Sequence, residues 1–440
     1  MKSTGEDSYT KGHAERQQRR LRVALKFVRE SNACQLAYPD AELIHTAREP
    51  SPHLLEAAVR KTRLFDKERC RTEDQPLMDT SRMHVFSDTL RGRVFMVRID
   101  GEDFIIKWVK PTDPRRPFSV SRDVPDSEAV AEMVFSTVVS AVSIAGSYPF
   151  FCSTYCTFGC KLDLNNTEND TTKSKVTSIN STRSMIPPSS QKGQLSIGIC
   201  SIQENIRFTT DHVICSNNND IILHSGIATL AMCAIFVLNH RLGIVHNDLH
   251  LDNIRWEATN ARIFAVRWRG IWRLVQSAFV PKLIDWDRSC DRPQSGICSL
   301  MAIKMHRSSA ASPMGDICQF FPRLFASNEW ECDDCLPIGS LIMSYLVGRR
   351  RGSPDQIITA ITLMQLFIAS LSRSSKRVDH LFFSSGRFNA ASPRLHDFIV
   401  LGMMNRNSFD LFDTYQQMDN LMALWPSSSH PPVGVPHVII

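Results

Sequence analysis

The sequence predicts an α+β fold, with strands gathered in a small unit over residues 83–205 and helices in a larger one over residues 206–425. An apolar hairpin pattern from Val94 to Val109 anchors the first unit. A long apolar helix pattern from Asp220 to Arg241 opens the second, and beyond residue 300 the apolar spacing is mainly helical with loops. A chain of 440 residues allows two or three compact units, or one two-lobed domain with insertions.

Residues 1–82 read as a polar N-terminal extension carrying one helix, Glu15 to Glu30. Its basic cluster, Arg16 to Arg22 with Lys26 and Arg29 behind it, reads as a solvated helix face before it reads as a partner-docking helix. Val94–Ile99 and Phe104–Val109 read as paired strands, with Asp100-Gly101 as the tight turn between them. Ser127–Val142 has helical spacing, and Asp126 or Ser127 suits its N-cap. Phe150–Cys160 reads as a strand on which Cys152, Cys156 and Cys160 share a face, as buried structural thiols rather than metal ligands.

Residues 161–194, rich in Asn, Thr and Ser, form a low-complexity insertion. Leu195–Ile202 is a further strand leading into Gln203-Glu204-Asn205. The helix from Asp220 ends at Gly243 and reads as a buried core helix that falls short of a membrane span. Strand-like residues fill Ile263–Val280, and residues 426–440 form a Pro- and Ser-rich tail.

Composition narrows the partners. The balance of 51 basic and 45 acidic side chains gives +6, too mild and too dispersed to suggest nucleic acid. The 13 cysteines, odd in number and without framework spacing, predict reduced thiols in an intracellular protein, cytoplasmic or nuclear. No apolar leader is evident at the N-terminus, and no transmembrane segment is expected. Cys332-Asp-Asp-Cys335 has the spacing of half a zinc site, but Cys290 and Cys298 do not supply the other half.

Phosphoryl transfer requires a carboxylate to orient the attacking hydroxyl, oxygen ligands for magnesium, and a cation for the nucleotide phosphates. The segment His246-Asn-Asp-Leu-His-Leu-Asp-Asn253 supplies a carboxylate, Asp248, and an amide oxygen, Asn253, on one short loop. Asp285 ends the apolar run Leu283-Ile284, where a buried strand would deliver it to a cleft. Lys107 lies inside an apolar strand, where its charge demands a partner. Taken singly, each has a plainer reading: Lys107 as a snorkelling edge-strand lysine, Asp285 as a turn residue, His250 as local packing. Their order along the chain is what favours chemistry.

The motif His-x-Asp-x-x-x-x-Asn followed by apolar-Asp-aromatic resembles the protein-kinase-like superfamily over about residues 83–330. It is similar to the diverged Ser/Thr kinases of large DNA viruses, and also to the aminoglycoside and choline kinase branch. The resemblance implies a two-lobed fold, ATP and Mg2+ as cofactors, and a protein substrate. It implies that Asp248 positions the acceptor hydroxyl, and that Asn253 and Asp285 hold the metal, with Asp287 as a further candidate. It also implies that Lys107 meets the α and β phosphates, with Glu132 as its helix partner and Glu128 as the competitor one turn earlier. Gln203 to Asn205, including Glu204, would hold adenine through backbone groups. His246 and Asp316 would brace the catalytic loop.

Departures accompany the likeness. The phosphate loop Thr89–Val94 has only Gly92, with Arg91 or Arg93 as possible helpers. His250 stands where such kinases usually carry a lysine. The stretch from Asn253 to Asp285 is long, which predicts an enlarged hairpin. A small-alcohol kinase and a binding-only pseudokinase are the alternative expectations.

Overall fold

The computed structural model describes residues 8–62, 76–80, 83–88, 92–109, 128–163, 195–217, 219–260, 262–291, 313–326, 338–371 and 414–440. The fold is mixed α+β. Its main sheet is six-stranded, with every pairing antiparallel. The strands are β1 (Gln35–Ala37), β2 (Met83–Asp88), β3 (Gly92–Ile99), β4 (Glu102–Val109), β5 (Thr154–Asp163) and β6 (Leu195–Glu204), in the order β1-β5-β6-β4-β3-β2.

The β3–β4 hairpin turns at Asp100 and Gly101, whose φ values of 48° and 82° both lie in the left-handed region. That twist is what a two-residue hairpin loop requires, and an Asp-Gly pair tolerates it. On β4, Phe104, Ile106 and Trp108 are buried in the core under the sheet. Strand alternation therefore turns Lys107 to the opposite face.

Residues 8–62 are not an appended extension. The helix α1 (Ser8–Glu30) packs on β5 and buries Leu21, Ala24 and Val28 at helical spacing in the core of the sheet. β1 forms the sheet edge beyond β5, and α2 (Ala41–Thr46) and α3 (His53–Thr62) pack on α4 (Glu128–Ile144). Arg19, Arg22, Lys26 and Arg29 of the basic cluster are exposed, as a solvated face would have them, but two of its members are not. Arg16 and Arg20 reach Glu257, Glu102 and Glu204, because the helix lies directly against those carboxylates.

The second part is built around α6 (Ile221–Phe236), preceded by α5 (Thr210–Ser216) and prolonged by a single π-helical turn, Val237–Arg241. Asp220 caps α6 by accepting the Ile222 N–H at 2.8 Å. Gly243, at φ 67°, ends the run. Ile221–Arg241 is long and apolar enough to cross a membrane, yet 89% of the apolar window is buried inside the protein, as the reading of a buried core helix expects. Buried surroundings on all sides explain an apolar helix without a polar face. The helices α7 (Pro313–Ala326), α8 (Ile338–Leu346), α9 (Pro354–Leu371) and α10 (Thr414–Ala423) all pack on α6.

After α6 come β7 (Ile244–Val245), β8 (Ile254–Ala258), β9 (Ile263–Trp268), β10 (Ile271–Gln276), β11 (Phe279–Leu283) and β12 (Cys290–Asp291). β8 pairs with β11, and β7 with β12. The β9–β10 hairpin is the insertion that lengthens the Asn253-to-Asp285 stretch. The C-terminal tail is tied down on it: β13 (Ser427–Ser428) pairs with β10, and β14 (His437–Ile439) with β9. Cys152, Cys156 and Cys160 are buried. Cys160 faces Cys200 on the neighbouring strand. The Cys332–Cys335 pair lies outside the described residues.

Candidate active site

The site forms where β4, α4 and the loops flanking β8 and β11 converge. Lys107, turned away from the sheet core, bridges two carboxylates. Its Nζ lies 2.9 Å from Glu132 on α4 and 2.5 Å from Asp285 beyond β11. Burial works against the ammonium, but Glu132 and Asp285 outweigh it and hold the Lys107 pKa above its ordinary value. Burial also opposes the Asp285 carboxylate, and Lys107 more than offsets this, so its pKa lies below the usual range. Glu132 is pushed upward by burial despite Lys107. The Lys107 side chain remains 22% exposed and that of Asp285 35%, so the pair borders open space.

Sequence alone left Glu128 and Glu132 in competition. Glu132 makes the ion pair, while the Glu128 side chain lies outside the described residues. Gln203, on β6, hydrogen-bonds Glu132 and donates to Ser201 at 2.9 Å, a link that strand alternation makes possible. Asp285 itself sits at φ 67°, an uncommon conformation for a residue with a side chain. Its neighbour Ile284 fixes the position: the Ile284 N–H donates to Asn253 O at 3.0 Å, and its carbonyl accepts from His246 Nε2 at 2.8 Å. Burial lowers the His246 pKa, so the ring is neutral and serves as a brace.

The loop His246–Asn253 is held from behind by Asp316 at the start of α7. Its two carboxylate oxygens accept the backbone N–H groups of His246 at 2.9 Å and Asn247 at 2.8 Å, and Asn239 donates to it at 3.2 Å. Burial drives the Asp316 pKa up to about 7, against the pull of those two N–H donors. Asn247 adopts φ 64°, and Asn253 donates its amide N–H to Asp248 O at 2.8 Å. The Asn253 side-chain atom suited to a cation is therefore Oδ1.

Asp248 projects from this braced loop, its side chain 25% exposed. Arg288 Nη1 lies 3.2 Å from Asp248 Oδ1, and His250 Nε2 lies 4.0 Å from Oδ2. His250 also faces Asp252 at 3.6 Å. Asp287 is half-buried two residues beyond Asp285. Among the described residues no group of three or more His, Cys, Asp or Glu side chains forms a metal centre. Magnesium needs no such cage, since one or two carboxylates plus phosphate oxygens and waters complete its shell.

No protein-family model matches this chain, and no curated protein sequence matches it. The remaining predicted residues divide. A Cβ on Gly92 would lie 2.5 Å from the Trp108 carbonyl, so strand packing alone demands glycine there. Thr89 to Arg91 lie outside the described residues. The Glu204 carboxylate is not in the Lys107 cluster: it accepts from Gln17 at 2.8 Å and pairs with Arg20 and Lys282. The missed participant is Arg288, whereas Gln203, expected at adenine, hydrogen-bonds Glu132. The partner of Arg288, Asp248, lies 40 residues back in the chain, a distance at which no local pattern operates.

Proposed function

We propose that this chain is an ATP- and magnesium-dependent phosphotransferase with a two-lobed, protein-kinase-like fold, acting on a Ser or Thr hydroxyl of a protein. The observation that carries the reading is Lys107 bridging Glu132 and Asp285, beside a loop that presents Asp248 and Asn253. One cation against two carboxylates leaves an excess negative charge, and the donor set of Asp285 and Asn253 fits a hard cation. Mg2+, when bound there, would neutralise phosphate charge. Lys107 has the charge and exposure to meet phosphate oxygens. Asp248 orients the acceptor hydroxyl and receives its proton.

The test is γ-phosphate transfer from radiolabelled ATP by the purified protein, with Mg2+, a basic protein mixture and a panel of amino-alcohols. Asp248→Ala serves as the blank. The expected result is label on Ser or Thr of protein that disappears in the variant. Label on an amino-alcohol alone would reassign the acceptor. Binding of Mg-ATP without transfer to anything would leave a scaffold.

A further inference from the structure

Phosphoryl transfer spreads negative charge over the equatorial oxygens of the moving group, and a cation positioned there lowers the barrier. Lys107 is already clamped between two carboxylates. The cation nearest the candidate base is Arg288, 3.2 Å from Asp248, whereas His250 is 4.0 Å away.

Arg288 is also built in. Its carbonyl accepts the Asn247 side-chain N–H at 3.1 Å, and Asn247 is itself held by Asp316 at 2.8 Å. The next residue, Ser289, donates its N–H to Trp286 O at 3.2 Å, and Cys290 pairs with Val245 in β12–β7. The backbone under Arg288 is thus tied to the loop that carries Asp248. Its side chain remains 37% exposed, and a guanidinium offers several N–H donors beyond the one facing Asp248.

We propose that Arg288 is the cation of the transfer step: it orients the Asp248 carboxylate and donates to the moving phosphoryl group. This rests on the phosphotransferase reading above. In the step, the bond from the acceptor oxygen to the γ-phosphorus forms as the bond from that phosphorus to the bridging β–γ oxygen breaks. The electron pair of the broken bond leaves with ADP, and the hydroxyl proton passes to Asp248. Arg288 balances the charge throughout and exchanges no atom.

The test compares wild type, Arg288→Ala and Arg288→Lys in steady-state transfer, with thermal melts to confirm folding. A second readout is calorimetric binding of Mg-ADP alone and of Mg-ADP with aluminium fluoride, a planar phosphoryl mimic. Arg288→Ala is expected to lower kcat about 100-fold with the KM for ATP changed less than about threefold. It should weaken the aluminium fluoride complex by a similar factor while leaving Mg-ADP binding intact, and lysine should restore part of both. Unchanged or faster transfer in Arg288→Ala, or equal weakening of both nucleotide complexes, overturns the proposal. If wild type itself transfers no phosphate, or Asp248→Ala matches it, the phosphotransferase reading fails and Arg288 falls with it.

Discussion

Two lysines in this molecule each bridge two carboxylates, and the two clusters differ in what closes them. Lys107 holds Glu132 and Asp285, and its side chain is 22% exposed. Lys282 on β11 holds Glu204 at 3.6 Å and Glu257 at 3.2 Å, and its side chain is fully buried. The second cluster is sealed by α1, which adds Arg16 to Glu257, and Arg20 to Glu204 and Glu102. Gln17 completes the seal, donating to Glu204 and accepting from the Tyr155 hydroxyl at 2.5 Å. There, Lys282, Arg16 and Arg20 match Glu204, Glu257 and Glu102 in charge, and Arg19 adds a further cation at the surface. Around Lys107 two carboxylates face one lysine, and α4 lies against it through Glu132. Similar side-chain chemistry thus serves a joint whose central lysine is fully buried and, at the candidate site, a lysine that keeps a solvent-facing edge. The larger cavity, about 320 Å³, nonetheless adjoins the Lys282 cluster at Arg16, Arg20, Glu102, Glu204 and Glu257, whereas the one beside Lys107 and Glu132 is about 10 Å³.

The largest effect should come from breaking the sealed cluster. Lys282→Met leaves Glu204 and Glu257 buried without their shared cation, and is expected to lower stability by about 3–5 kcal/mol in urea denaturation. A loss below about 1 kcal/mol would mean that the arginines of α1 suffice. Lys107→Met sharpens the contrast from the other side. Transfer activity should fall about 10²–10³-fold, while the stability loss stays under half that of Lys282→Met. Equal destabilisation by the two variants would erase the distinction drawn here.

The next effect is a pH dependence that His13 and Glu257 of the sealed cluster contribute. His13 on α1 is buried, and burial, then Lys282, push its pKa down to about 3; Arg16 and Arg20 add to this and Glu257 opposes it. The folded pKa lies below the ordinary 6.5, so the unfolded chain binds the extra proton. Stability from this group is full above pH 6.5 and is lost as pH falls toward 3. For Glu257, burial opposes ionisation but Lys282 prevails and its pKa falls to about 2, so its share is lost below about 4.5. Between pH 6.5 and 5 the His13 contribution should remove about 1.6 kcal/mol, while Asp316, with its pKa raised to about 7, acts in the opposite direction. His13→Gln should therefore gain stability relative to wild type by about that amount between pH 6.5 and 5, read as the difference between the two melting profiles. The smallest effect is expected at the surface. Arg19→Ala removes an ion pair with Glu102 from a side chain that is 61% exposed, and should shift stability by no more than about 1 kcal/mol.

Much of this architecture was legible from local pattern. Asp100-Gly101 between alternating strands fixed the hairpin, and so the face of β4 on which Lys107 lies. Asp220 and Gly243 bounded the apolar helix, and the spacing from His246 to Asn253 together with Leu283-Ile284-Asp285 marked the loop and its neighbour. Each of these signals depends on residues within a turn or two of one another, where backbone propensity, capping and alternation act.

What only the tertiary structure decided is where charges find partners. Lys107 met Glu132 on α4 and Asp285, 178 residues distant. Gln17 met Glu204 across 187 residues, which turned an apparent extension into a closing helix. Arg288 turned back to Asp248. An ion pair has no periodicity along a chain: its partner is set by which surfaces pack together, and that packing is fixed by the apolar cores under the sheet and around α6.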